Sequence, residues 1–318
     1  MHLPDTTLRH LQHVADLPDL TGTRYELVEP LGRGGMGAVY RVTDRALGRD
    51  VAMKVLNGAT DAASLARLET EARILAHLEH PGIVPVHDVG TLPDGRLFYA
   101  MKLVRGERLD AWAERAGALS ERLRLLVRVA DAVAFAHARG VVHRDLTPAN
   151  IMIGAFGEVL VMDWGLALTG PPRQPTHPNQ PEQPLQPAQP VQRVIAGTAG
   201  FMAPEQADGA ADCRSDVYAL GALLLWYLAP QRGGPVPMPR PLKSIAAKAR
   251  AADPDARYAT AEAFAADLSR YLDAQAVLAH RESLPERTLR FARTYRVAIL
   301  LVLGYLVMRM ALLAYRGL

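Results

Sequence analysis

At 318 residues, with 49% hydrophobic and 22% charged positions, the chain can fill one large domain or two lobes with appendages, which excludes disorder over most of its length. Its net charge of +3 is small, and much of the excess is Arg in the last segment, which argues against nucleic acid as the main partner. The single cysteine, Cys213, excludes an intrachain disulfide and a thiolate metal cluster; it reads as a small apolar residue in a reducing compartment.

The first residues, MHLPDTTLRHLQHV, lack a basic start followed by an apolar run, so no secretory signal is expected and the chain should begin in the cytoplasm. Residues 1–24 read as an extension: a short polar helix capped by Asp5, then a linker with Pro18 and Gly22. From Tyr25 the pattern becomes strand, glycine turn, strand and strand, through YELVEPL, GRGGMG, AVYRVTD and DVAMKVL. Gly32, Gly34 and Gly37 form G-x-G-x-x-G, whose missing Cβ atoms let backbone N–H groups approach a polyphosphate; a plain Gly-rich hairpin turn is the other reading. A dinucleotide fingerprint would lead into a helix, whereas these glycines lie between strands.

Lys54 interrupts the apolar strand VAMKVL, so it must lie on a solvated edge or be paired, because an isolated buried ammonium is too costly. Helical periodicity follows from about Asp61 to His80, with Leu65, Leu68, Ala72 and Leu75 as the apolar stripe. At ~100° per residue Glu71 falls within roughly 40° of that stripe and Glu69 about 120° away, so Glu71 is the acid expected to face inward and pair with Lys54. Two ordinary surface charges remain the alternative for this pair.

Further on, SERLRLLVRVADAVAFAHARG predicts a long helix with Ser120 as N-cap and Gly140 as stop, delivering the chain to HRDLTPAN at His143–Asn150. A hairpin-like pair, ANIMIG and EVLVMDWG, follows and ends at Asp163. With these motifs and GTAGFMAPEQ, SDVYALG and DPDARY in fixed order, roughly Tyr25 to Ala274 closely resembles the eukaryotic-type protein kinases, in particular the bacterial serine/threonine kinases.

The resemblance implies an α+β bilobal kinase fold, a small β-rich lobe over residues 25–104 and a mainly helical lobe over 105–276. It implies transfer of the ATP γ-phosphoryl group to Ser or Thr of a protein, with Asp145 as base. Lys54 would contact the α- and β-phosphates with Glu71 as its partner. The nucleotide would lie against Leu31, Gly32, Arg33, Gly34, Gly35, Met36, Gly37, Val39, Ala52, Met101 as gatekeeper and Val104 in the hinge. Asn150 and Asp163 would hold Mg²⁺, or Mn²⁺ in its place. His143 is expected to shape the loop rather than act as base, Arg144 to meet a phosphorylated activation loop, Thr198 to pack near Asp145, and Arg257 to pair with Glu205.

Three departures from the family pattern stand out. Thr147 occupies the position where most of these kinases carry Lys, removing a cation from the transferring phosphoryl group. PQRGGPVPMPRPL runs directly into a helix, IAAKARA, where the family has a protruding substrate-docking helix. Residues 171–192 hold eight Pro and six Gln with Q-P-x repeated from Gln180 to Val191, which reads as a disordered insertion or a polyproline II strip for a Pro-binding partner. Thr147 and the missing docking helix keep a pseudokinase as the alternative; a small-molecule kinase is a more distant third.

Thr260 should cap a final domain helix carrying Phe264, Leu268, Tyr271 and Leu272. Residues 277–296 form a basic segment with Arg287, Arg290, Arg293 and Arg296 at every third position. At ~1.5 Å per residue Val297–Tyr315 would reach about 28 Å, close to a ~30 Å hydrocarbon core, and is read as a single-pass transmembrane helix despite Arg309. The preceding Arg residues would place the kinase lobes on the cytoplasmic side of the cytoplasmic (inner) membrane, with only residues 316–318 beyond the span.

Overall fold

Glycine-punctuated runs of β-branched and aromatic residues build the first lobe as a five-stranded antiparallel sheet. Its strands are β1 (Tyr25–Gly34), β2 (Gly37–Asp44), β3 (Arg49–Leu56), β4 (Val86–Thr91) and β5 (Leu97–Lys102), in the order β1-β2-β3-β5-β4. The computed structural model describes residues 17–34, 37–56, 76, 78–115, 117–164, 168–169, 200–229, 238–283, 285–288 and 295–316. Strand alternation divides the lobe into two faces. Tyr40, Val42, Val51, Met53 and Val55 turn to one side, where they pack with Tyr25, Leu92, Phe98 and Ala100. The register Val39↔Lys54 and Ala52↔Met101 puts those four residues together on the other face.

Lobe two is built around a long amphipathic helix. After β6 (Gly106–Arg108) and a short α1 (Leu109–Trp112), α2 (Leu119–His137) buries Leu123, Leu126, Val129, Ala130, Val133 and Ala136 along one stripe. That stripe meets α4 (Cys213–Leu228) and α6 (Ala261–Leu272), while the short α3 (Pro204–Ala207) precedes α4 and α5 (Arg240–Ala249) packs beside it. A Cβ on Gly221 of α4 would lie 2.6 Å from the Cβ of Ala249, so glycine is what allows α4 and α5 to approach so closely. Truncating a fully buried core residue such as Leu126 to Ala would cost ~2–5 kcal/mol.

Short strands carry the site. β8 (Ile151–Gly154) pairs with β6 and with β9 (Val159–Val161), and β7 (Val141–Val142) pairs with β10 (Leu168–Thr169). The lobes are tied by backbone bonds from Val161 N–H to the Gly82 carbonyl, 2.8 Å, and from Val84 N–H to the Val161 carbonyl, 3.4 Å. β9, which ends next to Asp163, is thereby tied to the segment that leads into β4.

Two helix starts test the capping signals. Thr260 does cap α6, its hydroxyl accepting from Ala263 N–H at 3.1 Å. Ser120 does not cap α2: the helix begins at Leu119, Ala118 is the capping position without a side-chain bond, and Ser120 sits inside the first turn. Ala118 has the extended φ of −64° and ψ of 143° that a helix start requires, and its carbonyl accepts from Glu121 and Arg122, so no side-chain cap was needed to fix the boundary.

The last element, α7 (Arg296–Arg316), is helical where a membrane span was expected. Among the described residues, however, no helix is long and apolar enough to cross a membrane. Arg309 cuts the uninterrupted apolar run to Val297–Met308. At ~1.5 Å per residue that run reaches about 18 Å, short of a ~30 Å core, so the fold gives the single-pass reading no support. Asp5, Leu65, Leu68, Glu69, Glu71, Ala72, Leu75, the 171–192 insertion, Arg193, Thr198, residues 230–237, Arg290 and Arg293 lie outside the described residues.

Candidate active site

The site forms where the lysine-bearing face of the first lobe meets the loops at the ends of β7 and β9. Lys54 is buried, with 6% of its surface exposed, and its Nζ forms an ion pair with Asp163 Oδ1. Burial alone would push the Lys54 ammonium down, but Tyr99 and Asp163 outweigh it and hold its pKa above the ordinary lysine value. The strand lysine is therefore charged and paired, one of the two outcomes its position in an apolar run allowed. Its partner among the described residues is Asp163; Glu71 lies outside them.

Around this pair the expected nucleotide residues fall together. Val39, Ala52 and Met101 share the Lys54 face by register, Leu31, Gly32, Arg33 and Gly34 form the end of β1, and half-buried Val104 follows β5. Gly37 opens β2 with φ of 154°, and a Cβ there would strike the Val55 carbonyl. Among the described residues nothing lies within 4 Å of where a Cβ would stand on Gly32 or Gly34, so this end of the hairpin presents bare backbone. That is the cradle a polyphosphate needs. Gly35 and Met36, at the turn itself, are outside the described residues.

The catalytic loop hangs from the second lobe's core. Asp216, 1% exposed in α4, accepts from the backbone N–H of His143 at 2.8 Å and of Arg144 at 2.8 Å, and bonds His137 Nε2 at 2.7 Å. Burial would raise its carboxyl, yet the bond from His137 and that from the His143 backbone N–H hold it below the ordinary aspartate value. Arg144 is in the left-handed region at φ of 68°, and so is Asp163 at φ of 56°. Non-glycine residues there cost on the order of 1–3 kcal/mol each, a strain found where surrounding structure dictates the backbone.

His143 is fully buried and packs on Trp164, ring centroids 4.6 Å apart. Its Nε2 lies 2.9 Å from the Met162 carbonyl, so that nitrogen carries the proton, and Nδ1 accepts the Asp145 N–H at 3.3 Å. Both ring nitrogens of His143 are thus engaged with backbone groups. Trp164, where the family usually has Phe, is the aromatic that packs on this histidine.

Asp145 and Asn150 then converge. Asn150 Nδ2 donates to the Asp145 carbonyl at 2.8 Å and to Asp145 Oδ2 at 3.2 Å, while Asp145 Oδ1 is buried without a hydrogen-bond partner among the described residues. A buried carboxylate oxygen left bare is costly, roughly 1–3 kcal/mol or more, and calls for a donor from outside the described residues. Because the Asn150 amide nitrogen is spent on Asp145, its oxygen is the atom left for a cation, as is the 40% exposed Asp163 carboxylate. Thr147 is 3% exposed in the same loop and brings no charge.

Behind the loop, Arg257 makes the expected bridge: its guanidinium donates to both oxygens of Glu205 at 2.7 and 2.8 Å. Burial would raise Glu205, but Arg257 and then Ser215 hold its carboxyl below the ordinary glutamate value. Two partnerships escaped sequence reading: Tyr99 beside Lys54, which strand register would have revealed, and Gln206, whose side chain bonds both Ala203 N–H and the Arg144 carbonyl. The second carries no local sequence signal.

Comparison with known proteins agrees with this geometry. The Pkinase family, described as protein kinase domain, matches residues 25–236. The DNA damage-responsive serine/threonine-protein kinase RqkA of Deinococcus radiodurans is 41% identical over 211 residues, 64% of this chain and 30% of that protein. Serine/threonine-protein kinase PknB of Mycolicibacterium smegmatis is 36% identical over 300 residues, 83% of this chain and 44% of its own length. PknA of Mycobacterium tuberculosis is 40% identical over 209 residues, 63% of this chain and 45% of its own. The chain thus spans less than half the length of these relatives. With the motifs in family order and the similarity running through both lobes, the chain belongs to the protein kinase family.

Proposed function

We propose that this kinase transfers the γ-phosphoryl group of ATP to Ser or Thr hydroxyls of proteins with Asp145 as the base. The observation that carries the reading is the buried Oδ1 of Asp145, without a hydrogen-bond partner among the described residues, beside an Oδ2 fixed by Asn150. A substrate hydroxyl would donate its hydrogen bond to that Oδ1 and then its proton. Lys54 would bind the α- and β-phosphates, with Glu71 as its partner on the following helix. Leu31, Gly32, Arg33, Gly34, Gly35, Met36, Gly37, Val39, Ala52, Met101 and Val104 would enclose the nucleotide.

The residues fit a divalent cation. Asn150 and Asp163 would hold Mg²⁺ by hard oxygen atoms, and the ion, when bound, neutralises phosphate charge. Asp163 would then exchange its Lys54 partner for the metal, leaving the ammonium to the phosphates.

α7 supports association with the membrane. Val297, Leu300, Leu301, Val302, Leu303, Tyr305, Leu306, Val307 and Met310 are all exposed, and they lie all round the helix rather than on one stripe. Lipid contact would cover this surface, with the lobes on the cytoplasmic face of the cytoplasmic membrane. A pseudokinase remains the second reading, favoured by the uncharged Thr147.

The test is phosphoryl transfer by the full chain, with labelled ATP and Mg²⁺, to itself and to a generic acceptor protein. Asp145→Asn should abolish transfer while leaving ATP affinity nearly unchanged. Equal activity in wild type and variant overturns Asp145 as base; no activity in either, with ATP still bound, selects the pseudokinase.

A further inference from the structure

The backbone of Arg144 and the peptide that joins it to Asp145 are held at three points. Arg144 N–H bonds Asp216, Asp145 N–H bonds His143 Nδ1, and the Arg144 carbonyl accepts from Gln206 Nε2 at 2.7 Å. The first two partners belong to the catalytic loop and the core helix under it. Gln206 belongs to α3, the short helix that follows the 170–203 segment. Its Oε1 accepts the N–H of fully buried Ala203 at 2.9 Å, the residue that enters α3 just before Pro204.

Chemistry fixes which end of the amide faces which group. A backbone N–H can only donate and a carbonyl can only accept, so Oε1 must meet Ala203 and Nε2 must meet Arg144. A side chain of this length that both accepts and donates at one planar end is glutamine. Glutamate could keep the Ala203 bond but would present a second acceptor to the Arg144 carbonyl, and methionine could make neither.

We infer that Gln206 is a positioning residue for phosphoryl transfer. It clamps the left-handed Arg144 peptide, and hence the start of the Asp145 side chain, to the loop at Ala203. The inference rests on Asp145 being the base. The base and the chain segment beside it thereby move as one unit. A misplacement of ~1 Å at a reacting group can cost about a hundredfold in rate, so losing one of the bonds that locate this peptide should show in turnover.

Full-length wild type, Gln206→Glu and Gln206→Met would be compared for turnover on dephosphorylated casein, KM for ATP, thermal midpoint and amide exchange of peptides spanning 143–150. Both variants should lose about tenfold or more in kcat with KM for ATP changed by less than about twofold. The Asp145 amide should exchange faster in both, with Gln206→Glu holding its thermal midpoint because the Ala203 bond survives. Wild-type kcat in Gln206→Glu would overturn the inference and leave a purely structural cap at Ala203. So would a fall in kcat matched by a rise in KM for ATP and a lower midpoint, which marks general loosening. Unchanged exchange at 143–150 in both variants overturns the clamp whether or not casein is phosphorylated. Activity surviving Asp145→Asn, by contrast, removes the base assignment while the exchange result still reports on the clamp.

Discussion

Arg257→Met isolates the buried bridge that seats α3. Met preserves much of the aliphatic stem, so the change removes charge and hydrogen bonds more than volume. Glu205, whose side chain is 16% exposed, loses both guanidinium bonds and keeps that from Ser215 Oγ at 2.7 Å. The carbonyls of Ala251, Arg214 and Ala252, at 2.8, 3.0 and 3.2 Å from the guanidinium, lose their donor as well. Removing one partner of a buried pair costs ~3–5 kcal/mol, and in a domain of this size each kcal/mol shifts the midpoint by roughly 2–4 °C. The expected fall is therefore roughly 6–20 °C, read by circular dichroism. Glu205→Gln added to Arg257→Met should recover part of it, because the stranded charge is gone.

The pH dependence has a definite sign. Glu205 is held below its unfolded value, so its contribution is present above the ordinary glutamate range and is lost as pH falls through the folded value. Wild type should therefore lose stability on acidification more steeply than Arg257→Met. A midpoint within about 2 °C of wild type for Arg257→Met, or equal acid slopes, refutes the assignment.

Other outcomes follow from the site and the tail. Asp163→Asn should weaken Mg²⁺-dependent ATP binding, measured by calorimetry with and without the ion, far more than metal-free binding. Thr147→Lys should raise the single-turnover rate at saturating ATP by about fivefold, ~1 kcal/mol, if nothing else supplies the missing cation; an unchanged or lower rate refutes an uncompensated loss and turns attention to a substitute such as Arg193. Full-length protein should stay with membranes through high-salt and carbonate washes, since apolar contact is insensitive to screening; release by salt alone removes the lipid-inserted reading of α7.

Residues whose environment is set by covalent neighbours were the legible ones. Lys54 in an apolar strand had to be solvated or paired, and it is buried and paired, with Asp163, while its expected partner Glu71 lies outside the described residues. Thr260 before an apolar helix had to cap. The Arg257 to Glu205 bridge came from resemblance, and its bidentate geometry agrees. Ser120 failed because a capping residue type marks a helix start only to within a residue or two, and Ala118 satisfied the backbone first. For α7, summed apolar length outweighed the position of Arg309, although a charge divides a run more than it dilutes it. Gln206 was illegible because its two partners lie three and 62 residues away, and only the fold brings both to one amide.

The way the catalytic loop hangs from Asp216 also bears on how this kinase fails when heated. The carboxylate that holds His143 and Arg144 is 1% exposed within a helix whose neighbours are the core of the second lobe. A loop suspended in this manner has no private melting transition, because releasing it means exposing a buried charge to a protein interior that has not yet opened. Turnover should thus persist until the lobe itself gives way, so that the thermal inactivation curve and the loss of tertiary structure share one midpoint.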